Sequence, residues 1–122
     1  MCRIILPIKP EYVERIIEGE KTYEYRKIQC KRDVESILIY STSPVKRIVG
    51  EVEVLDVLKD SPERMWEETC MNSGISEKKF FNYYENAKEA VAYKLGRVTR
   101  FDEPKELSDY GLKYTPQSFV YI

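Results

Sequence analysis

Gly19-Glu20-Lys21-Thr22-Tyr23-Glu24-Tyr25-Arg26-Lys27 is where the chain changes its period. Before Gly19 the apolar residues Val13, Ile16 and Ile17 recur at helical spacing, with Glu11, Glu14, Arg15 and Glu18 on the other side. Pro10 suits the first helical position, and Glu11 complements the helix dipole. Gly19 can close that helix in the left-handed conformation without a Cβ penalty. From Thr22 the side chains alternate as on a strand. Tyr23, Tyr25 and Lys27 fall on one face; Thr22, Glu24 and Arg26 fall on the other. Lys21, Thr22, Glu24 and Arg26 are thus gathered where a helix turns into a strand. They form either a functional cleft or a buried ion network that holds the helix end to the sheet.

Outward from this stretch, alternation and β-branched runs predict strands near residues 3–8, 22–27, 36–40, 46–58, 89–101 and 117–122. The helix at 10–18 interrupts them once. A helical insert over 61–86 interrupts them again, with Ser61-Pro62-Glu63 and Ser76 as its two starts. Phe80, Phe81 and Tyr84 sit at helical spacing and read as core. Residues 102–111 read as a loop. Short connections between most strands predict an α+β fold, a small mixed β-barrel, and not a parallel sheet wound by helices. At this length one domain over 1–122 is expected.

The run Ile5-Leu6-Pro7-Ile8-Lys9-Pro10-Glu11-Tyr12, followed by Gly19, Lys21, Glu24 and Arg26, resembles the opening of an ASCH domain, whose signature is Gly-x-Lys-x-x-Glu-x-Arg. The Ser-x-x-Pro-x-Lys-x-Ile-Val-Gly run at Ser41–Gly50 is similar to the same family's pattern. The resemblance implies a PUA-like β-barrel and binding of RNA or a nucleotide-like ligand, with a role in translation or RNA metabolism. Lys21, Glu24 and Arg26 would line the cleft. Arg26 would take a phosphate or a base edge and Glu24 an exocyclic amine. Tyr40 or Trp66 would stack a base. Thr22, Ser41, Thr42, Ser43, Lys46 and Arg47 are further candidate ligand-binding residues. One branch of the superfamily hydrolyses the acetyl amide of N4-acetylcytidine with a lysine, a threonine and a glutamate. Lys21 matches that lysine. Glu24 stands at the threonine position, and Met71 or Asn72 aligns with the distal glutamate. A nucleoside amidohydrolase using Lys21 and Glu24 is therefore the rival reading, and a protein-interaction module is the third.

Composition narrows the chemistry. The chain has 122 residues, 20 Lys and Arg, 21 Asp and Glu, and no His. Near-neutral charge argues against indiscriminate binding to nucleic acid. The charge is uneven, however: residues 1–50 carry ten Lys/Arg against seven Asp/Glu, and residues 51–122 ten against fourteen. Without His, Ser-His-Asp and Cys-His arrangements are excluded. No glycine-rich phosphate loop or EF-hand spacing occurs. Cys2, Cys30 and Cys70 lack metal-ligand spacing, so neither a metal nor a cofactor is expected. Free thiols predict a reducing compartment, and no stretch has the length of a membrane span, which together predict a cytoplasmic protein. Cys30, beside Lys31 and Arg32, is a candidate nucleophile if those cations depress its pKa.

Overall fold

The computed structural model describes residues 2–122. Its elements run β1 (Arg3–Ile8), α1 (Pro10–Glu18), β2 (Tyr23–Arg26), β3 (Ser36–Ser41), β4 (Arg47–Asp60), α2 (Pro62–Thr69), α3 (Glu77–Tyr83), β5 (Ala90–Lys105) and β6 (Val120–Tyr121). Short 3-10 turns occupy Cys70–Asn72 and Leu107–Tyr110. The strands form one sheet in the order β2-β5-β4-β3-β1-β6, curled into a half-barrel. The β1/β3 pair is parallel and all the other pairs are antiparallel. This is the mixed α+β architecture expected from the alternation.

The curl leaves β2 and β6 as edges, and α1 links β1 to β2 across the open side. Apolar side chains decide what lies within. Ile4, Leu6 and Ile8 of β1, Ile37 and Ile39 of β3, and Val91, Tyr93 and Leu95 of β5 fill the concave interior. Val13 and Ile16 of α1 join them. The opposite face of β5 and β2 is covered by the helical insert: Ala90, Ala92 and Tyr25 pack on Met65, Phe80 and Tyr84. Burial of β5 on both faces follows, and Ala90 to Tyr93 are all at most 1% exposed. A third cluster, built on Ile5, Leu38, Tyr40 and Ile48, is capped by Leu107, Tyr110 and Leu112.

Several boundaries move. The strand expected over 89–101 continues to Lys105, paired with Ile48 of β4, through residues expected as loop. Pro104 is tolerated there because a proline costs a strand only where its amide is needed in a ladder. The strand expected over 117–122 shortens to Val120–Tyr121. In β4, register shifts after Val52 and Val54 break the alternation, so Val57 reaches the interior and the neighbouring Leu58 packs on the insert.

Candidate functional site

The geometry of the site starts at α1. Gly19 caps the helix with φ 85° and its amide bonds the Ile16 carbonyl. The Lys21 amide then bonds back to the Arg15 carbonyl, and the Thr22 amide bonds the Asn72 carbonyl. These bonds fold the helix end under the 3-10 turn of the insert. Gly74, at φ +62°, lies flat over the lysine stem: a Cβ there would stand 2.4 Å from Lys21 Cβ. Arg15 Nη1 donates to the Gly74 carbonyl at 2.7 Å and fixes the loop from the helix side.

Lys21 is held from several directions. It is 3% exposed. Its Nζ donates to the Ser73 carbonyl at 2.8 Å and sits 4.7 Å from the Tyr25 ring centroid and 5.3 Å from that of Tyr12. Burial pushes its pKa down from 10.5; Glu24 opposes this, while Arg15 and Arg26 add to it. The lysine therefore gives up its proton more readily than an exposed lysine does.

Cross-strand pairing with Tyr93 and Val91 sets Glu24 and Arg26 on the concave face of β2. They form an ion pair at 2.8 Å, with a second bond from Arg26 Nε to the same Oε2 at 3.1 Å. Arg26 Nη2 also donates to the Pro7 carbonyl at 2.5 Å. The guanidinium therefore ties β2 to β1 across the open side of the half-barrel, where no ladder joins them.

Lys21, Glu24 and Arg26 line a cleft of about 490 Å³, together with Pro7, Ile8 and Lys9 at the end of β1 and Tyr12 of α1. Tyr25 forms part of it, and the insert contributes Ile75, Lys79, Asn82 and Tyr83. Four basic side chains thus face one carboxylate, among three tyrosine rings. Such a lining suits a compact anion that carries an aromatic group.

The other candidates lie elsewhere. Tyr40 is 3% exposed in the third cluster, its hydroxyl 3.3 Å from Thr115 Oγ1, so its ring has no free face for a base. Trp66 packs on Phe80 and Phe81 in the insert and does not line the cleft. Thr22 is half-buried and outside the lining; Ser41 is buried. Thr42 is half-buried and Ser43 exposed, in the turn that follows β3. Lys46 is exposed, and Arg47 pairs with Glu106 at 3.2 Å. Met71 is 91% exposed and Asn72 is exposed too; neither reaches the cleft to stand in for a catalytic glutamate. Cys30 is 6% exposed, and burial raises its thiol pKa. Its Sγ accepts a bond from the Tyr93 hydroxyl at 3.1 Å, while Arg32 lies instead over the Tyr121 ring. The charged neighbours in sequence do not activate it.

Lys9, Tyr12, Lys79, Asn82 and Tyr83 also line the cleft, and no local pattern in the sequence marks them as site residues. Tyr83 follows Phe80 by three residues and adjoins Tyr84, so nothing local separates it from the aromatic stripe of Phe80, Phe81 and Tyr84. Only docking of α3 beside β2 reveals its role as a wall.

Among the described residues no group of His, Cys, Asp and Glu is placed to hold a metal, and no helix is long and apolar enough to cross a membrane. The family model for the ASCH domain matches residues 6–104. The chain therefore belongs to the ASCH domain family. It is 27% identical over 109 residues to an ASCH domain-containing ribonuclease of Zymomonas mobilis, covering 84% of this chain and 74% of that protein. It is 30% identical over 120 residues to a Ureaplasma parvum protein named ATP synthase subunit alpha, covering 98% of this chain but only 15% of that protein. The crystal structure of ASCH from Zymomonas mobilis superposes with a TM-score of 0.89 at 23% identity, over 98% of this chain and 87% of that one. That likeness shows that the two chains share a fold.

Proposed function

We propose that the chain binds single-stranded RNA, or a nucleotide-sized piece of it, in the cleft between α1, β2 and α3, and acts in RNA metabolism. The observation that carries this reading is the lining: Lys9, Lys21, Arg26 and Lys79 against the single carboxylate of Glu24, with tyrosine rings between them. Phosphate needs the first set and a base needs the second. The ribonuclease named among the relatives supports RNA as the polymer.

A hydrolytic use of the same cleft is the second reading, favoured by Lys21. A buried amine whose pKa is lowered by burial can, once it has lost its proton, take the proton of an attacking hydroxyl or water, and Arg26 offers a charge to stabilise the developing anion. The positions of Met71 and Asn72 supply no partner of the kind that N4-acetylcytidine hydrolysis uses, so a phosphodiester fits this reading better than an acetyl amide.

Affinity for a short single-stranded RNA is expected to fall with salt, with a log–log slope of about −0.7 per phosphate contacted. Reversing Lys9 and Lys79 to Glu should weaken binding and flatten that slope. Reversing Lys46 and Arg47 should leave both unchanged, because neither lines the cleft. Fluorescence anisotropy at several salt concentrations measures this. The reverse ranking of the two double variants would move the binding surface to the Ser41–Arg47 turn.

A further inference from the structure

We propose that the site continues past Arg26 into a second cavity and takes two consecutive nucleotides of one strand, with the phosphate between them at the Arg26 guanidinium. This rests on the nucleotide-binding reading of the cleft and adds to it the number of units bound.

A separate cavity of about 200 Å³ lies between β2, α3 and the segment leading into β6. Arg26 and Tyr83 line both this cavity and the main cleft, so together they form the partition between the two. The guanidinium is only partly used there. Its Nε and Nη2 bond Glu24 and the Pro7 carbonyl, and Nη1 has no hydrogen-bond partner among the described residues. No buried side-chain nitrogen or oxygen among those residues lacks a partner, so Nη1 reaches open space. A positively charged donor with fixed geometry and free hydrogens, standing between two cavities, is suited to a bridging phosphate.

The second cavity has what a flanking nucleotide needs. Lys27 Nζ lies 4.8 Å from the Tyr83 ring centroid at its rim, and no carboxylate lines it. The rings of Tyr83 and Phe119 offer apolar walls. Exposed Gln117 and Ser118 bring an amide and a hydroxyl to the edge of a base. The smaller volume and the absence of Glu24 make this subsite the less selective of the two. The ligand is then a strand, since a lone nucleoside fills only the main cleft.

The test compares a uridine monophosphate with a 2′-O-methyl uridine dinucleotide, whose methylated 2′-oxygen cannot attack the adjacent phosphate, by calorimetric titration. The dinucleotide is expected to bind about tenfold tighter or more, the gain that stacking one further base supplies. Ser118→Trp, at an exposed position, fills the second cavity. It should abolish that gain and leave monophosphate affinity unchanged; Gln117→Trp serves the same purpose if the first variant fails to fold. Equal affinity for the two ligands overturns the two-nucleotide inference and leaves the cleft reading standing. A gain that survives both tryptophan variants does the same, by putting the second nucleotide elsewhere. If neither ligand binds, the cleft reading fails and this inference with it.

Discussion

Glu24→Ala is expected to cost about 3 kcal/mol of stability, more than the loss of both partners in Glu24→Ala/Arg26→Met. The Glu24 side chain is 8% exposed and that of Arg26 19%, so water reaches neither freely. Removing the carboxylate alone leaves a guanidinium in a poorly solvated place, with the Pro7 carbonyl as its remaining hydrogen-bond partner. A buried charge without its counter-ion is costly, whereas replacing both members by apolar groups is often close to neutral. The double variant still loses the tie between β2 and β1, so some cost remains. Urea unfolding of the wild type and the two variants reads the difference directly. Equal stability of Glu24→Ala and the wild type would mean that water screens the pair fully. RNA affinity should fall in both variants, because both remove a cleft group. This departs from the simpler expectation that cleft residues can be truncated freely: Glu24 and Arg26 line the cleft and also close the open side of the half-barrel.

Lys21→Met is expected to erase a rise of stability with pH and to weaken RNA binding by about tenfold to a hundredfold, the worth of one charged hydrogen bond. Burial lowers the Lys21 pKa in the folded chain below its unfolded value of 10.5. Between those two values the unfolded chain holds more protons, so stability increases as pH rises. Below the lowered pKa the lysine is charged in both states and its burial penalty is present in full. Above 10.5 the penalty has gone. Methionine fills much the same space and does not titrate, so the slope should disappear. The tyrosines have the opposite sign: Tyr12, Tyr25, Tyr83, Tyr84 and Tyr93 have raised pKa values, so they lower stability as pH approaches and passes 10. They do so equally in the wild type and the variant, so the difference between the two proteins isolates the lysine. Urea midpoints of both proteins between about pH 7 and about pH 10 measure the slope. A variant with the wild-type slope would show that the lysine keeps its ordinary pKa.

The half-barrel was legible because its signals are local. Gly19 ends one period and Thr22 begins another, and the helix over 10–18 and the strand that follows need no distant partner to be seen. The convergence of Lys21, Glu24 and Arg26 was legible for the same reason, since all three lie within six residues. What escaped is what the insert brings. Lys79, Asn82 and Tyr83 lie more than fifty residues from Lys21, and a tyrosine on an aromatic helix looks the same whether it faces a core or a cleft. The reverse error concerns Tyr40. An aromatic residue at a strand end beside a polar turn looked available for stacking, yet the residues that bury it belong to Phe101 and the 3-10 turn near Leu107, far along the chain. Cys30 is a candidate nucleophile in sequence only through Lys31 and Arg32, whereas the group it touches is the Tyr93 hydroxyl.

The central claim is that nucleic acid occupies the cleft between α1, β2 and α3. Mapping amide chemical shifts of the ¹⁵N-labelled protein during titration with a short 2′-O-methyl oligouridine tests it most directly. The account predicts that the largest shifts cluster at Ile8, Lys9 and Tyr12, at Lys21 to Arg26, and at Asn82 and Tyr83. Shifts confined to Ser41–Arg47, or spread evenly over the surface, would contradict it.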